Sequence, residues 1–162
     1  MATPEFILEL RRKVGSHPLW IMSATAVVVR PSPDRPGVRQ VLLAHRPDFA
    51  VWATVGGIID PGEQPAVAAA RECLEEADVV AEPEALAWVH VQEPAIYPNG
   101  DRVQFLDLTF RCRYVSGEPH PADGENSEVA WFDEDALPPL SLEMRHRVAA
   151  VLAGDEVTRF EA

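Results

Sequence analysis

Cysteine is scarce in this chain of 162 residues: Cys73 and Cys112 are the only two. That excludes a disulfide framework and a thiolate zinc site, and leaves two buried thiols in a reducing cytoplasm as the expected state. Positive charge is also short. Fourteen Lys and Arg stand against 26 Asp and Glu, for a net charge of −12. A surface so negative repels a phosphate backbone, so no nucleic-acid partner is expected, whereas metal ions or other cations suit it. Long apolar runs are missing; the most apolar stretch, residues 20–29, is short and includes Ser23 and Thr25. The N-terminal MATPEFILELRRKVG mixes acids and bases without the apolar centre of a signal peptide, so no membrane association is expected and the location is read as cytoplasmic. No G-x-S-x-G, H-E-x-x-H or G-x-x-x-x-G-K-S/T occurs, and the five histidines are scattered, which argues against the common hydrolase, zincin and P-loop designs. What is present, 47% hydrophobic residues, is enough to build one real core.

The chain then divides by pattern. Phe6, Ile7 and Leu10 recur at helical spacing after Pro4, which predicts a helix over 4–14 within an N-terminal helical extension, residues 1–18, ahead of a main domain at 19–162. Those three side chains need a cover, and both a homodimer through this helix and packing on the chain's own domain supply one. Residues 21–30 and 38–46 are rich in branched side chains and read as strands joined by PSPDRPG, with a short strand over 51–55 ending at Gly56-Gly57. A helix is expected from about Pro65 to Ala77, then strands near 86–93 and 101–115 around YPNGD, whose Asn99-Gly100 signals a tight turn. After the polar loop GEPHPADGENSE come a strand at 128–132 and a helix at 141–153 with Leu142, Val148 and Leu152 turned inward. The pattern predicts an α/β fold, a mixed β-sheet sandwiched between α-helices.

The segment over 56–79 carries the chemistry. On a helix from Pro65, the spacing i, i+3, i+4 gathers Glu72, Glu75 and Glu76 within about 100° of one another. Val67, Ala70, Leu74 and Ala77 fall on the other side as the expected core face, and Ala68 and Ala69 leave room for a ligand beside the acids. Three carboxylates near a helix C-terminus destabilise it unless something neutralises them; Arg71 does so in part, and a hard divalent cation would do so fully. The Gly56-Gly57 pair allows the backbone to approach a ligand closely, and Asp60-Pro61-Gly62 turns Glu63 back toward the helix.

This segment resembles the signature of the Nudix hydrolases, G-x5-E-x7-R-E-U-x-E-E-x-G-U, where U is bulky and aliphatic. Gly57, Glu63, Arg71, Glu72, Glu75 and Glu76 stand at the matching positions, with Cys73 at the first U and Val79 at the last. Asp78 replaces the glycine that ends the helix, and Asp is among the residues that best tolerate a left-handed conformation. LLAHR before the segment and EVAWF after it also resemble the family, so the likeness extends over about 20–153, while WATVGG departs from the usual Leu-Pro pair.

The resemblance implies a Nudix fold and metal-dependent hydrolysis of a phosphoanhydride in a nucleoside diphosphate linked to another moiety, with Mg²⁺ or Mn²⁺ as cofactor. ADP-ribose, dinucleoside polyphosphates, nucleotide sugars and nucleoside triphosphates are all within that class; Pro94 and Tyr97 satisfy two competing substrate patterns at once. By match to the family, Glu72, Glu75 and Glu76 with the Gly56 carbonyl are the metal ligands, Glu72 or Glu76 or a later carboxylate such as Glu125 or Glu128 is the general base, and Gly57, Glu63 and Arg71 support them. Arg46 as a phosphate clamp, with Trp52 and Tyr97 as stacking platforms, are the substrate-binding candidates. The rival reading is a nucleotide-binding or regulatory module of the same fold without catalysis, against which stands the full set of glutamates.

Overall fold

The computed structural model describes residues 3–97 and 99–161. Pro98 of the YPNGD turn, residues 1 and 2 of the N-terminal extension and residue 162 of the main segment lie outside the described residues. In chain order the elements are α1 (Glu5–Val14), β1 (Leu19–Pro31), β2 (Arg39–Arg46), β3 (Val51–Ala53), β4 (Val55–Ile58), α2 (Pro65–Ala77), β5 (Val79–Val91), β6 (Ala95–Ile96), β7 (Arg102–Gly117), β8 (Glu128–Asp133), α3 (Leu142–Ala153) and β9 (Arg159–Phe160).

The strands make one mixed sheet in the order β3-β2-β1-β7-β5-β9, with β4 on β1, β6 on β7 and β8 on β2. β1 and β7 run parallel at its centre, from Leu19 opposite Val103 to Val29 opposite Arg113. The other edge of β1 is shared: Ser23 to Ala26 pair with β4, and Val29 to Pro31 pair with β2. Helices cover both faces of β1, and its alternation sorts the core. Ala24, Ala26 and Val28 meet Ala69, Cys73 and Ala77 of α2. Val27, with Val41 and Leu43, meets Val148 and Val151 of α3. Farther along, Ile21 and Val103 take Ile7 of α1, so that residue packs on its own domain, whereas Leu10 remains exposed.

Four expectations change. The strand foreseen near 86–93 starts at Val79, directly after α2; its ladder with β7 slips around Val80, Pro83 and Leu86, and such bulges erase the alternation that marks a strand. Gly56 and Gly57 lie inside β4 rather than ending a strand, and pair with Thr25 and Ala24. Leu142, expected to point inward, opens α3 in solvent, while Arg147 is buried instead. The buried face of α2 is also rotated. Val67 and Leu74 are 58% and 51% exposed, while Ala68, Ala69, Glu72, Cys73 and Glu76 are buried. Small side chains let the helix approach the sheet closely, and that closeness, rather than bulk hydrophobicity, selects the inward face.

Candidate active site

Pro65 opens α2 at a position where its missing N–H costs nothing, and Asp78 closes it at φ 52°, ψ 36°, the left-handed conformation of the usual capping glycine. The Asp78 N–H reaches the Leu74 carbonyl at 3.1 Å. Between these ends, Glu72 is fully buried and Glu76 is 7% exposed, at adjacent turns of the same face. Glu75 lies beside them on the helix, within about 100° of both, but is open to solvent.

Arg71 organises the acids. Its Nε and Nη2 donate to the two oxygens of Glu63 at 2.9 and 3.0 Å, and Nη1 donates to Glu72 at 2.6 Å and to Glu75 at 2.9 Å. Nη2 also reaches the Ile58 carbonyl at 3.3 Å. Glu63 in turn accepts from the Asp60 N–H, which fixes the turn before α2. The Arg71 hydrogen bonds hold the Glu63 carboxyl below the ordinary range. Glu72 goes the other way, since burial raises it more than Arg71 lowers it. Glu76 is pushed up to about 7 by burial and by the Glu72 charge, with a further push from Asp123.

The second wall is the segment between β7 and β8. Its backbone is bound to the end of α2: Ala122 N–H to the Glu76 carbonyl at 3.1 Å, and His120 N–H to the Ala77 carbonyl at 3.2 Å. Buried Asn126 points its amide at Glu76, 3.5 Å away. A cavity of about 440 Å³ results, lined by Pro4, Ile58, Asp60, Arg71, Glu72, Glu75, Ala122 and Asp123. The loop carboxylate at this lining is Asp123; Glu125, the sequence candidate, is half-buried outside it, and Glu128 is exposed beside His45 in the β2–β8 ladder. Asp123, Asn126 and Pro4 had no signal in the sequence beyond their place in polar or terminal segments.

The substrate candidates separate. Arg46 is bound to Asp48 at 2.8 Å and lies 5.4 Å over the Phe49 ring. Burial disfavours its charged form, but Asp48, and then Glu76 and Tyr97, favour it more, so the Arg46 guanidinium is held above its ordinary range within the field of the acidic site. Tyr97 is partly exposed at the hairpin leading into β7, where the Gly100 N–H bonds its carbonyl. Trp52 instead packs edge-on against His45 and Phe132, in the core under α3, and is not part of the cavity lining.

The first of the two glycines, Gly56, is required by a close approach. A Cβ there would stand 2.7 Å from the Ala24 carbonyl oxygen and 2.9 Å from the Thr25 Cα, so β4 can lie against β1 only with glycine at this position. As for a metal, among the described residues no three His, Cys, Asp or Glu side chains converge into a ready cage. Yet Glu72 keeps Oε2 buried with no hydrogen-bond partner among the described residues. An unpartnered anionic oxygen beside a second buried carboxylate, in an all-oxygen donor set, fits a hard divalent cation.

The NUDIX domain model matches residues 21–152. The chain belongs to the Nudix family. It is similar to the NAD-capped RNA hydrolase NudC of Pseudomonas aeruginosa, at 35% identity over 119 residues that make up 70% of this chain and 40% of that protein. The NudC of Chromobacterium violaceum is 32% identical over 114 residues, 68% of this chain and 40% of the other. The chain thus matches about 40% of the length of these relatives. Among solved structures, the MutT NUDIX hydrolase from Burkholderia pseudomallei superposes with a TM-score of 0.59 at 26% identity, over 82% of this chain and 98% of that one. An ADP-ribose pyrophosphatase from Streptococcus suis shares the fold, with a TM-score of 0.62 at 21% identity, over 86% and 96%. Members of this family generally use divalent metal ions. Among the described residues, no helix is long and apolar enough to cross a membrane.

Proposed function

We propose that this Nudix hydrolase cleaves the phosphoanhydride of a compact nucleoside diphosphate linked to a second moiety, with Mg²⁺ or Mn²⁺ held by Glu72, Glu75, Glu76 and the Gly56 carbonyl. The carrying observation is the buried, unpartnered Glu72 Oε2 next to buried Glu76 at an acid-lined cavity. A divalent ion there would screen the diphosphate, acidify a water and stabilise the leaving oxygen. The residues do the rest. Arg71 aims Glu72 and Glu75 and ties them to Glu63; Gly56, beside Gly57, lets β4 lie close; Arg46, within the field of Glu76, meets phosphate if it releases Asp48; Tyr97 offers a stacking face. A loop carboxylate, Asp123 or Glu125, takes the proton from the attacking water.

The substrate reading leans on charge and size. A net charge of −12 opposes an RNA chain, and a cavity of about 440 Å³ accommodates a small molecule. The NudC resemblance supports a second reading, in which the diphosphate belongs to an NAD cap on RNA. We also infer a cytoplasmic location, supported by two free, buried cysteines.

The test is product release from ADP-ribose, NAD, dinucleoside polyphosphates, nucleotide sugars, nucleoside triphosphates and NAD-capped RNA, with Mg²⁺ or Mn²⁺, beside Glu76→Gln. Turnover of small diphosphates that vanishes in the variant and without metal supports the reading. Turnover of capped RNA alone overturns the size argument, and activity that survives Glu76→Gln overturns the ligand assignment.

A further inference from the structure

One residue of the cavity lining comes from outside the NUDIX match. That match starts at residue 21, yet Pro4, at the head of α1, lines the cavity with Ile58, Asp60 and Asp123. The carbonyl of Pro4 accepts from the N–H groups of Ile7 and Leu8 at 3.0 and 3.2 Å, so the first turn of α1 begins at the cavity rim. Proline also fixes φ there, at −56°.

Two anchors hold this helix in place. Ile7 is 4% exposed and packs on Ile21 and Val103, with Phe6 and Phe105 beside it. Arg11 donates to the carbonyls of Gly15 at 3.1 Å, His17 at 2.7 Å and Arg102 at 2.8 Å, and lies 3.4 Å from Asp101. The helix is thus fastened to the sheet by its middle and to the start of β7 by its end. Pro4 is carried at the head of the helix that these contacts hold, one turn before Ile7.

We propose that α1 is a specificity wall: anchored by Ile7 and Arg11, it closes one side of the active-site cavity, admits compact nucleoside diphosphate derivatives and turns away diphosphates that carry a long chain. Ile7 and Arg11 are positioning residues that act through Pro4. The substrate half of this proposal rests on the hydrolytic reading above; the geometric half stands apart from it.

The experiment has one arm for each half. Ala122→Cys places a thiol in the cavity lining, while Cys73 and Cys112 are fully buried. Its alkylation by iodoacetamide is compared with that by a maleimide on a long polyethylene glycol, with and without Ile7→Asp. In parallel, kcat/KM for ADP-ribose is compared with that for an NAD-capped oligonucleotide. Hydrogen exchange checks that α1 is released while α2 stays protected; if Ile7→Asp does not fold, Arg11→Ala carries the same comparison. The expected result is a shift of about tenfold or more toward the long reagent and toward the capped oligonucleotide, the scale on which a pocket wall discriminates. A labelling ratio unmoved by release of α1 overturns the wall whatever turnover does. A labelling shift with an unmoved substrate ratio overturns its role in specificity. A labelling shift in a protein that hydrolyses none of the diphosphates leaves the wall standing and overturns the hydrolytic reading.

Discussion

Arg71 grips Glu63 with two parallel hydrogen bonds, Nε and Nη2 to the two carboxylate oxygens at 2.9 and 3.0 Å, across eight residues of chain. This pair closes the turn before α2 onto the helix, and the remaining nitrogen of the same guanidinium reaches Glu72 and Glu75. One cation therefore sets the positions of three carboxylates.

Because the grip is a planar fork, Arg71→Lys removes geometry while keeping charge. Supporting residues of this kind typically cost about 10–100-fold in metal affinity or activity when lost. Arg71→Lys is expected to lose turnover and Mn²⁺ affinity on that scale, by steady-state kinetics and titration calorimetry, with the circular dichroism of the fold retained. Full activity in the lysine variant would mean that position 71 supplies charge alone.

The carboxylate that faces the cavity from the loop is Asp123, and Glu125 stands outside the lining. If a loop group takes a proton from the attacking water, position 123 is the better placed. Asp123→Asn is expected to lower kcat by about 10²–10⁴-fold with little change in KM, and Glu125→Gln to lower it far less. The reverse ranking would show that the loop rearranges when substrate binds.

How far the sequence could be read depends on what each position answers to. The 57–79 segment was legible because its charged residues hold fixed spacings, and α2 spans Pro65–Ala77 as its proline and spacing predict. The direction of its faces was not legible: Val67 and Leu74 look like core but point outward, because the distance between helix and sheet, a tertiary quantity, admits only small side chains. The contrast between Asp123 and Glu125 was hidden for a similar reason. It is decided by the bonds from Ala122 to Glu76 and from His120 to Ala77, between partners distant in sequence. Pro4 at the cavity and Arg147 in the core likewise answer to contacts that no local pattern records.

Glu76 makes the metal-free protein sensitive to pH. Burial and the Glu72 charge raise it from 4.5 to about 7. Between those values the folded protein keeps a proton that the unfolded chain has released, so this contribution to stability is fully present below about pH 4.5 and is lost as pH rises through about 7. In chelator, the melting temperature of the wild type is expected to fall from about pH 5 to pH 8 more steeply than that of Glu76→Gln. A divalent ion competes with the same proton, so Mn²⁺ affinity should rise over that interval and binding should release a proton. Parallel melting curves for the two proteins would show that Glu76 does not titrate there.

Arg147 lies on α3 with its side chain 4% exposed, and its Nη2 stands 3.4 Å from Oδ2 of the fully buried Asp107. Ser23, Thr25 and Thr109 donate their hydroxyls to the same carboxylate at 2.9, 2.7 and 2.8 Å. Arg147 also holds Glu143 at 2.7 Å. The three hydroxyls solvate Asp107 but do not neutralise it, so Arg147→Met leaves a buried negative charge beneath α3. Breaking a buried pair in this way costs about 3–5 kcal/mol. Adding Asp107→Asn removes the charge and keeps an oxygen for the hydroxyls, so the double variant is expected to recover part of that loss in urea unfolding. Additive losses would mean that the two side chains stabilise the fold independently.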